Sequence, residues 1–489
     1  MRNHSEIYVS HENVGPQILQ RVRNSFLDTG RPVFHTVEMN RKLLNHAAMV
    51  SAFFALNLSA ARSQTSAAAT SRPLDALLPL EGAWQMTTDQ FETGFKGMKF
   101  DWLSPAKETA RFFGPGLSIY GGELKLTEAI VDFKDNKVAR LSLSLFNRGD
   151  SSDLPANLEQ FEKKVGGYRD ALTAKVGTKP TERKDRTSAV GATGFVWTKT
   201  PSAYLLEYSY QKEVKTRGVP FQPEFVRLRV VSLPSGGSAT ALSNSKSGAS
   251  AVTKGALTAN VKKEENGDIL IPNVPMVDQG PKGYCVVATA ERMFRYLGIP
   301  ADQHEIAQAA GTETGGGTSP DKMYEALNKL EGRLRFRMRV IEDWEWSKFE
   351  RMLGDYDREA KKRSKRVINT TGNRYGSVSD ILELIDGETL KEVKTVKDKA
   401  GFGKFQRGVA SSIDQGIPVM WSVTVGLLPE AAIPQAGIGG HMRLIIGYNP
   451  KTSEILYSDS WGAEHALKRM PMDQACAITS GMYYMEPMR

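Results

Sequence analysis

The sequence predicts two α+β domains. Residues 77–233 mix alternating apolar and polar runs with one long helical period, and residues 266–489 read as helices first and strands last. Between them, residues 234–265 are rich in Ser, Gly, Ala and Thr, lack aromatics, and read as a flexible linker. At 489 residues the chain is also too long for one ordinary core.

In the first domain, Leu124 to Phe133 and Lys137 to Phe146 alternate around Lys134-Asp135-Asn136, which predicts a hairpin. Leu158 to Val176 places Leu158, Phe161, Val165, Tyr168 and Leu172 on one helical face. Alternating runs at Gly194 to Trp197, Ala203 to Tyr210 and Glu224 to Val231 complete an antiparallel sheet. No His or Cys lies between residues 64 and 280, and the acids there follow no metal-ligand spacing, so this domain carries no chemistry of its own.

The second domain opens with an extended segment, Ile269 to Val277, then a glycine-bearing loop, Gln279 to Tyr284, then a helix from Cys285 to Leu297 that stops at Gly298-Ile299-Pro300. Ser319-Pro320 starts a helix running to Leu330, since Ser caps well and Pro fits a first turn. A helical stretch at 342–363 and a helix at Val409 to Gln415 follow. Strands are expected at Pro418 to Val425, Met442 to Tyr448, Ile455 to Ser458 and Ala477 to Met485. The insert at 342–366 is long enough to lie over a cleft.

Hydrophobic residues are 40% and charged residues 24%, which excludes a disordered chain or a polytopic membrane protein. The net charge of +9 is spread along the chain rather than gathered into one aromatic-laced stripe, so no nucleic-acid partner is expected. The densest basic run, Lys361, Lys362, Arg363, Lys365 and Arg366, follows a helix-like stretch, where the macrodipole favours positive charge.

The first 76 residues do not read as one folded unit. Residues 1–38 carry no pattern that folds and read as lying upstream of the true start. From Met39, Asn40-Arg41-Lys42 precedes the apolar run Ala47 to Ala61 and the small-x-small site Ala61-Arg62-Ser63, the order of a signal peptide over 39–63 cleaved before Gln64. The run is shorter than the roughly 20 residues needed to span a bilayer. Residues 64–76 then form a linker, and the mature protein is expected to be secreted or periplasmic.

Export makes two thiols a candidate disulfide, and the chain has two, Cys285 and Cys476. Cys285 also starts a helix, where unpaired N–H groups and the dipole favour a thiolate nucleophile. Such a nucleophile needs a base, a group to orient that base, and fixed donors for the oxyanion. Beyond the signal peptide the bases are His304, His441 and His465. His304 lies in a helix-like stretch, where a surface or helix-facing role is expected, and His465 in a turn, where an ordinary exposed role is expected. His441 follows Gly437-Ile438-Gly439-Gly440 and enters an apolar strand, at the edge of a rigid sheet.

Gln279-Gly280-Pro281-Lys282-Gly283-Tyr284-Cys285 resembles the nucleophile segment of papain-like cysteine peptidases. Gly440-His441 with its strand ending in Gly447-Tyr448 resembles their histidine segment, and Ser458-Asp459-Ser460-Trp461-Gly462 their Asn-Ser-Trp-Gly segment. Asp459 in place of Asn, Gly317-Thr318-Ser319-Pro320, Gly416-Ile417-Pro418-Val419, and Val286 where papains carry an aromatic are similar to the C39-like branch. Over residues 266–489 the resemblance implies a papain-like fold and a thiol peptidase of bacterial type acting on peptides or proteins without a cofactor. It implies Cys285 as nucleophile, His441 as base and acid, Asp459 as its orienter, Gln279 with the Cys285 N–H as oxyanion hole, and Trp461 as a shield. A silent binding module and an acyltransferase remain open on the same residues, and Cys476 is expected to be a buried free thiol in the last strands.

Overall fold

Two large hydrophobic cores, one per predicted domain, and a small cluster of Ala203, Leu205, Val231 and Leu233 organise the described residues. This is a computed structural model, and it describes residues 71–489 except 79, 104–106, 150, 152, 186–191, 215, 217–219, 234–251, 280–283, 300–302, 311–319, 370–376, 431–436 and 489. The signal peptide expected at 39–63 and residues 1–38 lie outside the described residues, as do most of the linker and Ser319.

The first domain is an eight-stranded antiparallel sheet with one long helix. Its strands are β1 (Asp101–Trp102), β2 (Thr109–Phe113), β3 (Glu128–Lys134), β4 (Lys137–Asn147), β5 (Thr181–Asp185), β6 (Ala192–Lys199), β7 (Ser202–Gln211) and β8 (Gln222–Ser232), in the order β1-β2-β3-β4-β8-β7-β6-β5. The expected hairpin is β3–β4: Asp135 and Asn136 both take positive φ, 51° and 60°, as a tight two-residue turn requires. Helix α1 (Leu158–Val176) matches its expected span. Asn157 caps its start, Gly177 at φ 79° ends it, and Phe161, Val165, Leu172 and Val176 are buried.

Both expected linkers are shorter than predicted. Arg72–Pro73 pairs with Leu117–Ser118 and Leu74 is fully buried, so the first domain begins before residue 77. At the other boundary, helix α2 (Lys254–Thr258) buries Leu257 completely in the second core, and β9 (Lys262–Lys263) pairs with β10 (Ile269–Leu270). The Ser/Gly composition hides one anchoring leucine, and burial of a Leu side chain contributes about 2 kcal/mol.

The second domain stacks helices against the sheet β9-β10-β13-β12-β16-β11, with β11 at Phe336–Glu342, β12 at Val419–Val425, β13 at Gly439–Asn449 and β16 at Thr479–Pro487. Two more strands, β14 (Glu454–Ser458) and β15 (Lys468–Pro471), extend from β13. The helices are α3 (Cys285–Tyr296), α4 (Gln303–Ala309), α5 (Pro320–Leu334), α6 (Trp346–Lys362), α7 (Lys399–Asp414) and α8 (Met472–Ile478), with short helical turns between Val378 and Lys397. Helix α6 buries Leu353, Tyr356 and Ala360 in the core, so it serves as part of the scaffold. The basic run at its end is paired: Lys362 and Arg363 with Glu359, Arg363 also with Glu392, and Lys365 with Asp386. Among the described residues no helix is long and apolar enough to cross a membrane.

Candidate active site

Cys285 is the first residue of α3 and packs against β13. Four residues on, Thr289 donates through Oγ1 to the Met442 carbonyl at 3.3 Å, which fixes one turn of helix against the strand that carries His441. Seven residues on, Arg292 is fully buried and ties two segments to the helix: Nε donates to Pro275 O at 2.8 Å, Nη1 to Asp459 O at 3.1 Å and Nη2 to Ser458 Oγ at 2.6 Å. The spacing of 0, 4 and 7 puts all three side chains on one helical face.

His441 lies inside β13, opposite Val423 of β12, rather than at the edge of the sheet as expected. Its Nε2 is 3.0 Å from Asp459 Oδ1, and Trp461 stacks on the imidazole with centroids 4.1 Å apart and planes 9° from parallel. The indole covers one ring face and keeps water from the hydrogen bond, so the interaction acts in a lower dielectric. Asp459 is fully buried at the end of β14, its N–H donating to His465 O at 3.0 Å. Gln279 is tied to the same segment, since its N–H donates to Ser460 O at 2.8 Å. Its side-chain Oε1 is buried without a hydrogen-bond partner among the described residues.

The electrostatics differ from those expected of a helix N-terminus alone. Burial pushes the Cys285 thiol up to about 11, against backbone N–H groups of Met442, Val286 and Cys285 that favour the thiolate, while the Asp459 charge adds to the rise. Desolvation outweighs the helix end here. Burial likewise holds the His441 imidazole below its ordinary value, although Asp459 pulls it up. Both shifts favour the neutral thiol and imidazole over a thiolate–imidazolium pair.

Sequence reasoning missed a second layer of charge. Arg443 Nε donates to Asp459 Oδ1 at 2.7 Å, the same oxygen that faces His441, and Lys468 Nζ lies 3.0 Å from Oδ2. Arg443 also pairs with Glu430 at 2.7 Å, and Glu430 accepts from Tyr457 at 2.5 Å. Burial alone would raise the Asp459 pKa, but the His441 hydrogen bond and the charges of Arg443 and Lys468 hold it well below the usual carboxylate range. The available signal was Arg443 itself, a cation two residues after His441 in an apolar strand and so on the same face.

Residues 271–484 match the model of the Peptidase_C39 like family. This segment is similar to the C39-like, papain-like peptidases. Among solved structures the chain is similar to xylellain, a cysteine protease from Xylella fastidiosa, at 12% identity, over 49% of this chain and 92% of that chain, with a TM-score of 0.25. No curated protein matches the chain. Within this segment the other predicted residues fall apart from the cluster or beside it. His304 is buried on α4, facing Glu128 of the first domain, and has no surface role. His465 stands edge-on to Trp461 at 5.6 Å and supports the site through its carbonyl. Cys476 is a buried free thiol, in helix α8 rather than a strand, and Cys285 is free as well.

Proposed function

We propose that the chain hydrolyses peptide bonds through Cys285, with His441 as general base and acid, Asp459 as orienter of the imidazole, and Gln279 with the Cys285 N–H as oxyanion donors. The observation that carries this reading is the His441–Asp459 pair at 3.0 Å under Trp461, on the strand against which the helix bearing Cys285 packs. Asp459 occupies Nε2, so Nδ1 is the ring nitrogen that takes the thiol proton as sulfur attacks the scissile carbonyl. The imidazolium returns that proton to the departing amine as the C–N bond breaks. Water then attacks the thioester with His441 again as base, releasing the carboxylic acid and restoring the thiol. Because both partners start neutral, proton transfer accompanies attack instead of preceding it.

The test is turnover of a peptide library by the full chain together with alkylation by iodoacetamide. Cys285→Ala abolishes turnover, and Cys285 is labelled far faster than Cys476. Equal slow labelling of both thiols with no turnover would make the domain a silent binding module. Incorporation of an added amine in place of water would make it an acyltransferase.

We also propose that the enzyme is exported, on the charge, apolar and small-residue order of residues 39–63. The mature protein then begins at Gln64. An N-terminus at Met1 in the purified protein rejects this.

A further inference from the structure

The loop that carries Gln279 and leads to Cys285 is held at both described ends by the first domain. At one end, Asp278, the residue before Gln279, has Oδ2 at 3.3 Å from Arg111 Nη1. Arg111 belongs to β2, is almost fully buried, and donates through Nε to Glu128 Oε1 of β3 at 2.5 Å. Glu128 Oε2 in turn lies 3.3 Å from His304 Nε2 on α4, so a chain of buried charge crosses from the oxyanion loop through the first domain and back into the second. At the other end, the Tyr284 hydroxyl packs so closely on Gly149 that residue 149 has no room for a Cβ. Tyr284 immediately precedes Cys285 at the start of α3.

Beside this, Glu305 of α4, with no exposed surface, pairs with Arg227 at 2.5 Å and with Arg229 at 3.5 Å, both on β8, while Glu207 of β7 lies 2.8 Å from Arg227. Buried ion pairs contribute little net stability but strongly disfavour any register that leaves one charge unmatched. A set of them across a domain boundary therefore fixes geometry. The group nearest the chemistry is the Arg111–Asp278 contact, one residue from Gln279.

Resting on the reading of Gln279 as an oxyanion donor, we propose that Arg111 is a positioning residue for catalysis: the first domain holds Gln279 and Cys285 in their working geometry through their neighbours Asp278 and Tyr284. An oxyanion donor acts only when preorganised, and a displacement of about 1 Å is enough to lose most of its effect. Thiol alkylation forms no oxyanion, so it reports on Cys285 without reporting on this geometry.

The experiment uses the full chain with Arg111→Gln, Arg111→Lys, Asp278→Asn and Gly149→Ala, measuring kcat, KM, the iodoacetamide labelling rate of Cys285 and thermal melting. Asp278 keeps some exposure and its amide is isosteric, so Asp278→Asn is the variant least able to unfold the protein. The expected result is a fall in kcat of about tenfold or more for Arg111→Gln and Asp278→Asn, with KM and labelling unchanged. Arg111→Lys, which keeps the charge, loses less, and Gly149→Ala falls in the same direction. Unchanged kcat in Asp278→Asn overturns the proposal, as does a loss matched by equally slowed labelling and a lowered melting point, which would mark the contact as structural only. Failure of the wild type itself to turn over any peptide refutes the peptidase reading instead.

Discussion

Replacing Asp459 by Asn should destabilise the protein more than it disturbs the hydrogen bond to His441. The amide oxygen still accepts from His441 and Arg443 in the place of Oδ1, but the amide NH2 then faces the Lys468 ammonium across 3.0 Å, donor against donor. The charge count points the same way: Asp459 and Glu430 balance Arg443 and Lys468 in the wild type, and Asn leaves one positive charge unmatched. Two unit charges at 3.0 Å attract by about 5 kcal/mol at an effective dielectric of about 20. Leaving one partner of such a pair uncompensated costs about 3–5 kcal/mol. That is a large share of the roughly 5–15 kcal/mol that holds a typical domain together. The assay is urea unfolding of wild type, Asp459→Asn, Lys468→Met and the double variant, read as a cycle. The double variant restores the charge balance and should lie nearer the wild type than Asp459→Asn does. A single Asp459→Asn within about 1 kcal/mol of wild type, or a double variant no more stable than it, would refute the role given to Lys468.

Three further outcomes follow from the same site. His441 must be neutral to accept the thiol proton, and its pKa lies below the ordinary 6.5, so the acid limb of kcat/KM should fall below pH 6.5. With Cys285 pushed up to about 11, activity should stay flat into the alkaline range, and an alkaline limb centred below about pH 9 would instead mean a preformed thiolate–imidazolium pair. Gln279→Ala should lower kcat by about 10²-fold with little change in KM, the scale of one oxyanion donor, and an unchanged kcat measured by peptide hydrolysis would remove Gln279 from the site.

Much of this protein is local enough to be legible in its sequence. The helix at Leu158–Val176 follows from its apolar spacing, Asn157 and Gly177, and the β3–β4 hairpin from two alternating runs around Asp135-Asn136. The Cys285, His441 and Asp459 segments stand out because each carries an unusual residue in a short motif. Strand β11 was missed although Phe336-Arg337-Met338-Arg339-Val340 alternates as a half-buried strand does, whereas the turns between Val378 and Lys397 lack a clean period and owe their form to the core they cover.

What the sequence determined by itself was the set of reactive groups and the elements that carry them. Only the tertiary structure decided their surroundings. The thiol that a helix start would activate is held protonated by burial, because desolvation depends on everything packed around it. Arg443 and Lys468 reach Asp459 from 16 and 9 residues away in the chain, and Arg111 reaches the oxyanion loop from another domain. Such contacts leave no period or motif, since each is formed by the folding of distant segments onto one another.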